Sequence, residues 1–78
     1  MNPNRQPLKE TEQKIWEYIL GYFADHASSP TRNEIADHLG YPRKSGPQTV
    51  QWFLSSMQAK GYIVLKPRKW RNISIVTN

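Results

Sequence analysis

Hydrophobic positions along the chain recur with the spacing of amphipathic helices. From Glu10 to His26 the apolar side chains share one face at about 100° per residue, and polar side chains occupy the opposite face. The apolar positions of this segment are Ile15, Trp16, Ile19, Tyr22 and Phe23. The pattern predicts a first helix over residues 10–26, and the acidic residues of its first turn suit the helix dipole.

A second, shorter helix is predicted over residues 32–39 from the residues at its two ends. The Thr31 hydroxyl can accept from the Glu34 backbone N–H, while the Glu34 carboxylate accepts from the Thr31 N–H, which is a capping box. Gly40 can adopt the left-handed conformation that ends a helix.

The remaining apolar positions predict a third helix followed by a β-hairpin. Pro47 suits the first position of a helix, with Ser45 or Gly46 near the cap, and Lys60-Gly61 ends the segment. The buried stripe has the spacing i, i+3, i+4, i+7 and consists of Val50, Phe53, Leu54 and Met57. Two β-rich runs, 62–65 and 73–76, flank a basic segment and predict an antiparallel hairpin with a long basic tip.

The predicted order is helix, helix, helix, strand, strand. We therefore expect a mainly α fold with a small β-hairpin, which is the layout of a three-helix winged helix-turn-helix domain. Residues 1–7, which include two prolines, predict a flexible N-terminal arm, and residues 8–78 predict the domain itself.

The charge of the chain is divided unevenly along its length. Residues 1–40 carry four basic and all six acidic side chains, a balance of −2, whereas residues 41–78 carry seven basic and no acidic side chains, a balance of +7. Such asymmetry indicates nucleic acid or an anionic surface as the partner. A solvated basic face that only aids solubility is the alternative explanation, and we interpret most carboxylates of the first two helices as solvated.

Composition excludes several classes of protein. The chain has no Cys, so it has neither a disulfide framework nor a thiolate metal site. Its longest apolar run, residues 62–65, is far below the roughly 18 residues of a membrane span, and its start lacks the apolar region of a secretory signal. His26 and His38 are isolated, and no phosphate-binding or nucleophile motif is present. We expect a cytoplasmic, nucleoid-associated protein that is not an enzyme and needs no cofactor, metal, membrane or small-molecule ligand.

Two segments resemble one family in particular, the N-terminal DNA-binding domain of LexA-type repressors. The family run Pro-Thr-Arg-x-Glu-Ile-Ala…Leu-Gly-Phe is similar to Pro30-Thr31-Arg32-Asn33-Glu34-Ile35-Ala36 followed by Leu39-Gly40-Tyr41. The family junction Lys-Gly-x-Ile resembles Lys60-Gly61-Tyr62-Ile63. The resemblance covers about residues 8–76 and implies a bacterial or phage transcriptional repressor that occupies operator DNA.

The chain also departs from that family. Lys9 stands where the family has a Thr or Ser cap, the loop between the second and third helices is longer, and the outward residues of the third helix differ. The family's self-cleaving peptidase domain, with its Ser-Lys dyad and dimer interface, is absent from these 78 residues. The resemblance therefore implies no cleavage activity.

The outward face of the third helix predicts base contacts in a DNA major groove. Opposite the apolar stripe lie five candidate base-reading residues: Gln48, Thr49, Gln51, Trp52 and Ser55. Gln can pair bidentately with adenine, hydroxyls can meet donors or acceptors, and a Trp ring can contact a thymine methyl. Trp52 would contact DNA, the wing or a second protomer, and the sequence leaves these open. A merely solvated polar face is the alternative for the helix as a whole.

Basic residues beside this helix predict contacts with the DNA backbone. The candidates are Arg32, Arg43, Lys44, Ser45, Lys66, Arg68, Lys69 and Arg71. Contacts of this kind position a protein on the duplex without specifying sequence. We expect double-stranded DNA as the partner, with a weak homodimer on paired half-sites. Two other functions remain open: a protein-interaction module that uses Trp52 and Trp70, and sequence-blind nucleic-acid binding.

Overall fold

Three helices and a two-stranded hairpin follow one another along the chain. The computed structural model describes residues 6–67 and 71–76. The elements are α1 (Glu10–His26), α2 (Arg32–Leu39), α3 (Gly46–Ala59), β1 (Ile63–Leu65) and β2 (Ile73–Ile75). This order confirms the predicted winged helix-turn-helix fold and the bounds of the first two helices. None of the described helices is both long and apolar enough to cross a membrane.

The hairpin is short and antiparallel. Ile63 lies opposite Ile75, and Leu65 lies opposite Ile73. Beyond the strands, the Lys66 N–H donates to the Asn72 carbonyl at 2.8 Å, which extends the pairing toward the tip. Of the basic tip, Arg68 and Lys69 lie outside the described residues, as does Trp70.

Every helix and both strands contribute to one small core. Its side chains are each exposed by 3% or less: Ile15, Ile19, Ile35, Ala36, Val50, Leu54, Met57, Ile63 and Ile73. Phe53, which the α3 pattern assigns to the buried stripe, is only partly buried against this cluster. Because the core includes one residue from each strand, packing fixes the hairpin to the helices.

The capping box of α2 forms as predicted, whereas α1 has only half of one. Thr31 Oγ1 accepts from the Glu34 N–H at 3.1 Å, and Glu34 Oε1 accepts from the Thr31 N–H at 2.8 Å. At α1, Glu12 Oε1 accepts from the Lys9 N–H at 2.8 Å. The reverse bond is missing there because a Lys side chain has no acceptor atom.

Helices α2 and α3 approach each other closely at Gly46. This residue occupies the first position of α3, so Pro47 stands second rather than first. A Cβ at Gly46 would lie 2.9 Å from the Cβ atoms of both Ala36 and Tyr41. The sequence indicates Gly46 only as a turn or cap residue, but its main role is to let the two helices of the helix-turn-helix pack together.

One acidic side chain of α1 is buried, contrary to the expectation of solvated carboxylates. Glu12 is 1% exposed, and its Oε1 lies 2.5 Å from Lys60 Nζ. Burial raises the pKa of Glu12, but hydrogen bonds from Lys60 and Ser56 outweigh it, so the pKa lies below its ordinary value. The pair joins the start of α1 to the end of α3.

The same region also holds the chain just before α1. Lys60 Nζ donates to the Pro7 carbonyl at 3.3 Å, and the Tyr62 hydroxyl donates to the Gln6 carbonyl at 2.8 Å. The Tyr62 ring packs edge-on against Trp16, with centroids 5.5 Å apart. Residues 1–5 of the predicted arm lie outside the described residues, and its last two residues are tethered.

Candidate nucleic-acid interface

The face of α3 opposite the core is exposed and uncharged. Gln48, Trp52 and Ser55 are exposed, and Thr49 and Gln51 are partly so. Trp52, at 70%, is the most exposed of the large hydrophobic side chains among the described residues. The described structure therefore brings the five predicted base-reading residues onto one accessible surface, which we call the α3 face.

A row of side chains links α2 to the α3 face. Arg32 Nη1 donates to Gln51 Oε1 at 3.4 Å, and Gln51 Nε2 donates to Ser55 Oγ at 3.1 Å. Both ends of the Gln51 amide are thus engaged within the protein. Arg32, predicted as a phosphate contact, lies beside the α3 face as a result.

The turn before α3 carries two further cations. Arg43 and Lys44 are both exposed, and Arg43 Nη2 lies 3.6 Å from Asp37 Oδ2. A surface pair of this kind contributes only about 0–1 kcal/mol, so it does not prevent Arg43 from contacting another anion.

Ser45 caps α3 in position but not through its side chain. Its hydroxyl makes no cap hydrogen bond, while its carbonyl accepts from the Thr49 N–H at 3.1 Å and the Thr49 hydroxyl at 3.2 Å. At this helix start the Gly46 N–H donates to the Pro42 carbonyl at 2.6 Å and Pro47 has no N–H, so few backbone donors remain for an anion such as a DNA phosphate.

Arg71, at the end of the hairpin tip, is engaged with protein atoms on α1, on α2 and in the loop between them. Its Nη1 lies 2.7 Å from Glu34 Oε1, 2.9 Å from the Ser29 carbonyl oxygen and 2.9 Å from the Tyr22 hydroxyl. The Tyr22 hydroxyl in turn donates to Glu34 Oε2 at 3.1 Å. We call this set of residues the wing anchor.

Electrostatics within the wing anchor favour the charged forms of both ionic partners. The hydrogen bond from Arg71, followed by that from the Thr31 N–H, lowers the pKa of Glu34 from 4.5 to about 2. Glu34 therefore remains ionised in all but strongly acidic solution. Glu34 is a second carboxylate that is not simply solvated, and its pairing is a correction to the sequence interpretation.

Sequence reasoning recognised Glu34 only as a capping residue and Arg71 only as a wing cation. The two residues are 37 positions apart, so no local pattern indicates their contact. The available signal was the uneven charge distribution, because all six carboxylates lie in residues 1–40 and seven of the eleven cations lie in residues 41–78.

Each of the two histidines packs against a tyrosine of α1, His38 in a stacked and His26 in a tilted arrangement. The His38 ring lies 4.2 Å from Tyr18, and the His26 ring lies 4.2 Å from Tyr22. They line an open groove of about 620 Å³ between α1 and α2. Within residues 6–67 and 71–76, no group of three or more His, Cys, Asp or Glu side chains could hold a metal ion.

Comparisons with known proteins agree with this geometry. The family model described as "LexA DNA binding domain" matches residues 5–72. The LexA repressor of Desulfatibacillum aliphaticivorans is 34% identical over 71 residues, which are 91% of this chain and 34% of that protein. The LexA repressor of Carboxydothermus hydrogenoformans is 33% identical over 69 residues, 88% of this chain and 32% of that protein.

A third relative, the LexA repressor of Thermosipho melanesiensis, is 32% identical over 69 residues, which are 88% of this chain and 33% of that protein. The chain thus spans about one third of the length of these relatives. The family match and the winged helix-turn-helix geometry lead to one conclusion: the chain belongs to the LexA DNA-binding domain family.

Proposed function

We propose that this chain binds double-stranded DNA sequence-selectively and acts as a LexA-like transcriptional repressor. The observation that carries the proposal is the exposed, uncharged α3 face, rich in hydrogen-bonding groups and flanked by cations. A major groove is wide enough to admit a helix, and amide and hydroxyl groups match the edges of its bases. Repression would follow from occupation of an operator.

Base contacts and backbone contacts come from different residues in this proposal. The α3 face supplies Gln48, Thr49, Gln51, Trp52 and Ser55 as readers of base edges. Arg32, Arg43, Lys44 and Ser45 surround the start of the helix-turn-helix and contact phosphates, and Lys66, Arg68 and Lys69 do so from the wing. Arg71 is a further backbone contact of the wing, and its guanidinium is in addition held by Glu34, which orients the wing.

We expect one copy of the chain to bind a single DNA site with modest affinity. A single module of this size buries only about 600–1,000 Å² of protein surface on DNA. Tight operator binding therefore uses paired half-sites, on which two copies of the chain form a weak homodimer. The protein is a non-catalytic regulator that acts in the cytoplasm, at the bacterial nucleoid.

The test combines site selection with a salt series. The full chain is used to select sites from randomised duplexes, and the affinity for selected and unselected DNA is measured between 50 and 200 mM salt. An enriched motif together with a steep salt dependence supports the proposal, because each neutralised phosphate contributes about 0.9 to the slope of log K against log salt. A steep slope without a motif indicates sequence-blind binding. No binding at low salt indicates a protein-interaction module.

A further inference from the structure

The chemistry of the α3 face is selective among base pairs. Resting on the proposed function, we infer that this face selects an A·T-rich half-site, with Gln48 on an adenine and Trp52 against the methyl group of a neighbouring thymine. The inference comes from the residue types that α3 presents, from those that it lacks, and from the contacts of each reader.

The whole of α3 lacks charged side chains. From Gly46 to Ala59 it contains no Arg, Lys, Asp or Glu. In the major groove, guanine is most often read by Arg or Lys at O6 and N7, and cytosine N4 donates to Asp or Glu. The helix therefore lacks the usual readers of both members of a G·C pair, whereas Gln is the bidentate match for adenine N6 and N7.

The contacts on the α3 face separate its two outward glutamines. Gln51 has both amide ends occupied, by Arg32 and by Ser55. The side-chain amide of Gln48 forms no hydrogen bond with any other described residue, and Gln48 is exposed. Gln48 is thus free to offer its oxygen and its NH₂ group together, as pairing with adenine requires, whereas Gln51 must first release Arg32 and Ser55 to do so.

Trp52 lies one helical turn beyond Gln48, so the two side chains are adjacent on the surface. With 70% of its surface exposed, Trp52 is an apolar side chain that packing within the described structure does not account for. The thymine methyl is the apolar group that the major groove displays at A·T pairs. Burial of the indole against this methyl gives the exposed ring a partner that a G·C pair does not offer.

The first test is the base composition of the selected sites, determined with the full chain. The inference predicts that A·T pairs dominate the positions protected by α3. A half-site dominated by G·C at these positions would overturn the inference and leave sequence-selective binding intact. Absence of any enriched motif would overturn both.

The second test removes single atoms from the selected DNA. Replacement of the contacted adenine by 7-deazaadenine removes N7 and one of the two hydrogen bonds to Gln48, and we expect binding to weaken roughly 2- to 12-fold, the net value of one hydrogen bond. Replacement of the contacted thymine by uracil removes the methyl, and we expect a loss of about fourfold, the value of one buried methyl-sized group. Each analogue is placed at each A·T position of the half-site in turn.

Protein variants connect these losses of affinity to the two side chains. Gln48→Ala should bind DNA that contains 7-deazaadenine as tightly as DNA that contains adenine. Trp52→Ala should bind DNA that contains uracil as tightly as DNA that contains thymine. Gln13→Ala, which changes an exposed glutamine of α1 away from the α3 face, serves as the control and should keep both losses in full. The assignment would be wrong if the change from selected to modified DNA weakened binding of Gln48→Ala and Trp52→Ala as much as it weakens binding of the control.

Discussion

Arg71 and Glu34 form an ion pair that joins the wing to the first turn of α2, with Nη1 2.7 Å from Oε1. Both side chains are about one third exposed, so the pair is screened in part by solvent. The pair positions the wing mainly through several simultaneous contacts, because the same guanidinium also reaches the Ser29 carbonyl and the Tyr22 hydroxyl. These contacts together fix the wing relative to the helix-turn-helix.

Loss of the wing anchor should destabilise the fold. Glu34→Gln keeps an oxygen for the Thr31 N–H but loses the charge that holds Arg71. We expect the free energy of unfolding to fall by about 1 kcal/mol, because both side chains are partly exposed and solvent screens the pair. Urea unfolding at neutral pH measures the change. Glu17→Gln on the exposed side of α1 is the control, and an equal effect of the two variants would contradict this role.

The pH dependence of stability should carry the signature of Glu34. Its pKa in the folded chain, about 2, lies below the ordinary 4.5, so the folded state favours the ionised form. The resulting stability is present above about pH 4.5 and is lost as the pH falls toward 2. The difference in unfolding free energy between the wild type and Glu34→Gln should therefore shrink from pH 6 to pH 3. A difference that stayed constant over this range would refute the shift.

Two glycines should respond in opposite directions to the same substitution. Gly46→Ala places a Cβ 2.9 Å from Ala36 and Tyr41 and should cost about 1–3 kcal/mol, as overpacking does. Gly21→Ala on α1 meets nothing within 4 Å and should gain up to about 1 kcal/mol of helix propensity. Thermal unfolding of the two variants measures both effects. If Gly46→Ala were as stable as the wild type, the close approach of α2 and α3 at this residue would not be required.

Replacing one member of the buried pair Glu12–Lys60 should lower the stability of the fold far more than replacing both. Lys60→Met leaves the Glu12 carboxylate buried without its cation, and breaking such a pair costs about 3–5 kcal/mol. The double variant Glu12→Leu/Lys60→Met removes both charges and should recover most of that loss. Urea unfolding of both variants decides the point. A double variant less stable than Lys60→Met would show that the pair contributes through interactions other than charge.

Substitutions of base-reading residues and of backbone-contacting residues should have different effects on DNA binding. Lys66→Ala, Arg68→Ala and Lys69→Ala together should weaken all duplexes alike and reduce the salt slope by about 0.9 for each phosphate that is no longer neutralised. Gln48→Ala should relax base preference and leave the slope nearly unchanged. Fluorescence anisotropy at several salt concentrations measures both quantities. Similar behaviour of the two variants would contradict the division between them.

Local patterns in the sequence were sufficient for the helices and strands. The Thr31–Glu34 capping box and the apolar spacing of α1 and α3 depend on residues within one or two turns, so they could be read without tertiary information. The exposure of Trp52 also follows from its position opposite the α3 stripe.

Contacts between distant segments could not be predicted in this way. The pairing of Glu12 with Lys60 joins residues 48 positions apart, and that of Glu34 with Arg71 joins residues 37 apart. Local patterns favoured a solvated role for Glu12 and only a capping role for Glu34. The close approach of α2 and α3 at Gly46 could not be predicted for a related reason. A glycine after a turn has the same local pattern whether or not a neighbouring helix lies against it.

Backbone and side-chain NMR of the labelled chain during titration with its selected duplex tests the central claim most directly. We predict the largest shifts at the Gln48 side-chain amide, the Trp52 indole N–H and the backbone amides at the start of α3, with smaller shifts at Lys66. The face of α1 that carries Glu17 and Asp25 should not shift. Shifts concentrated on α1, with the α3 face unchanged at saturating DNA, would contradict the account.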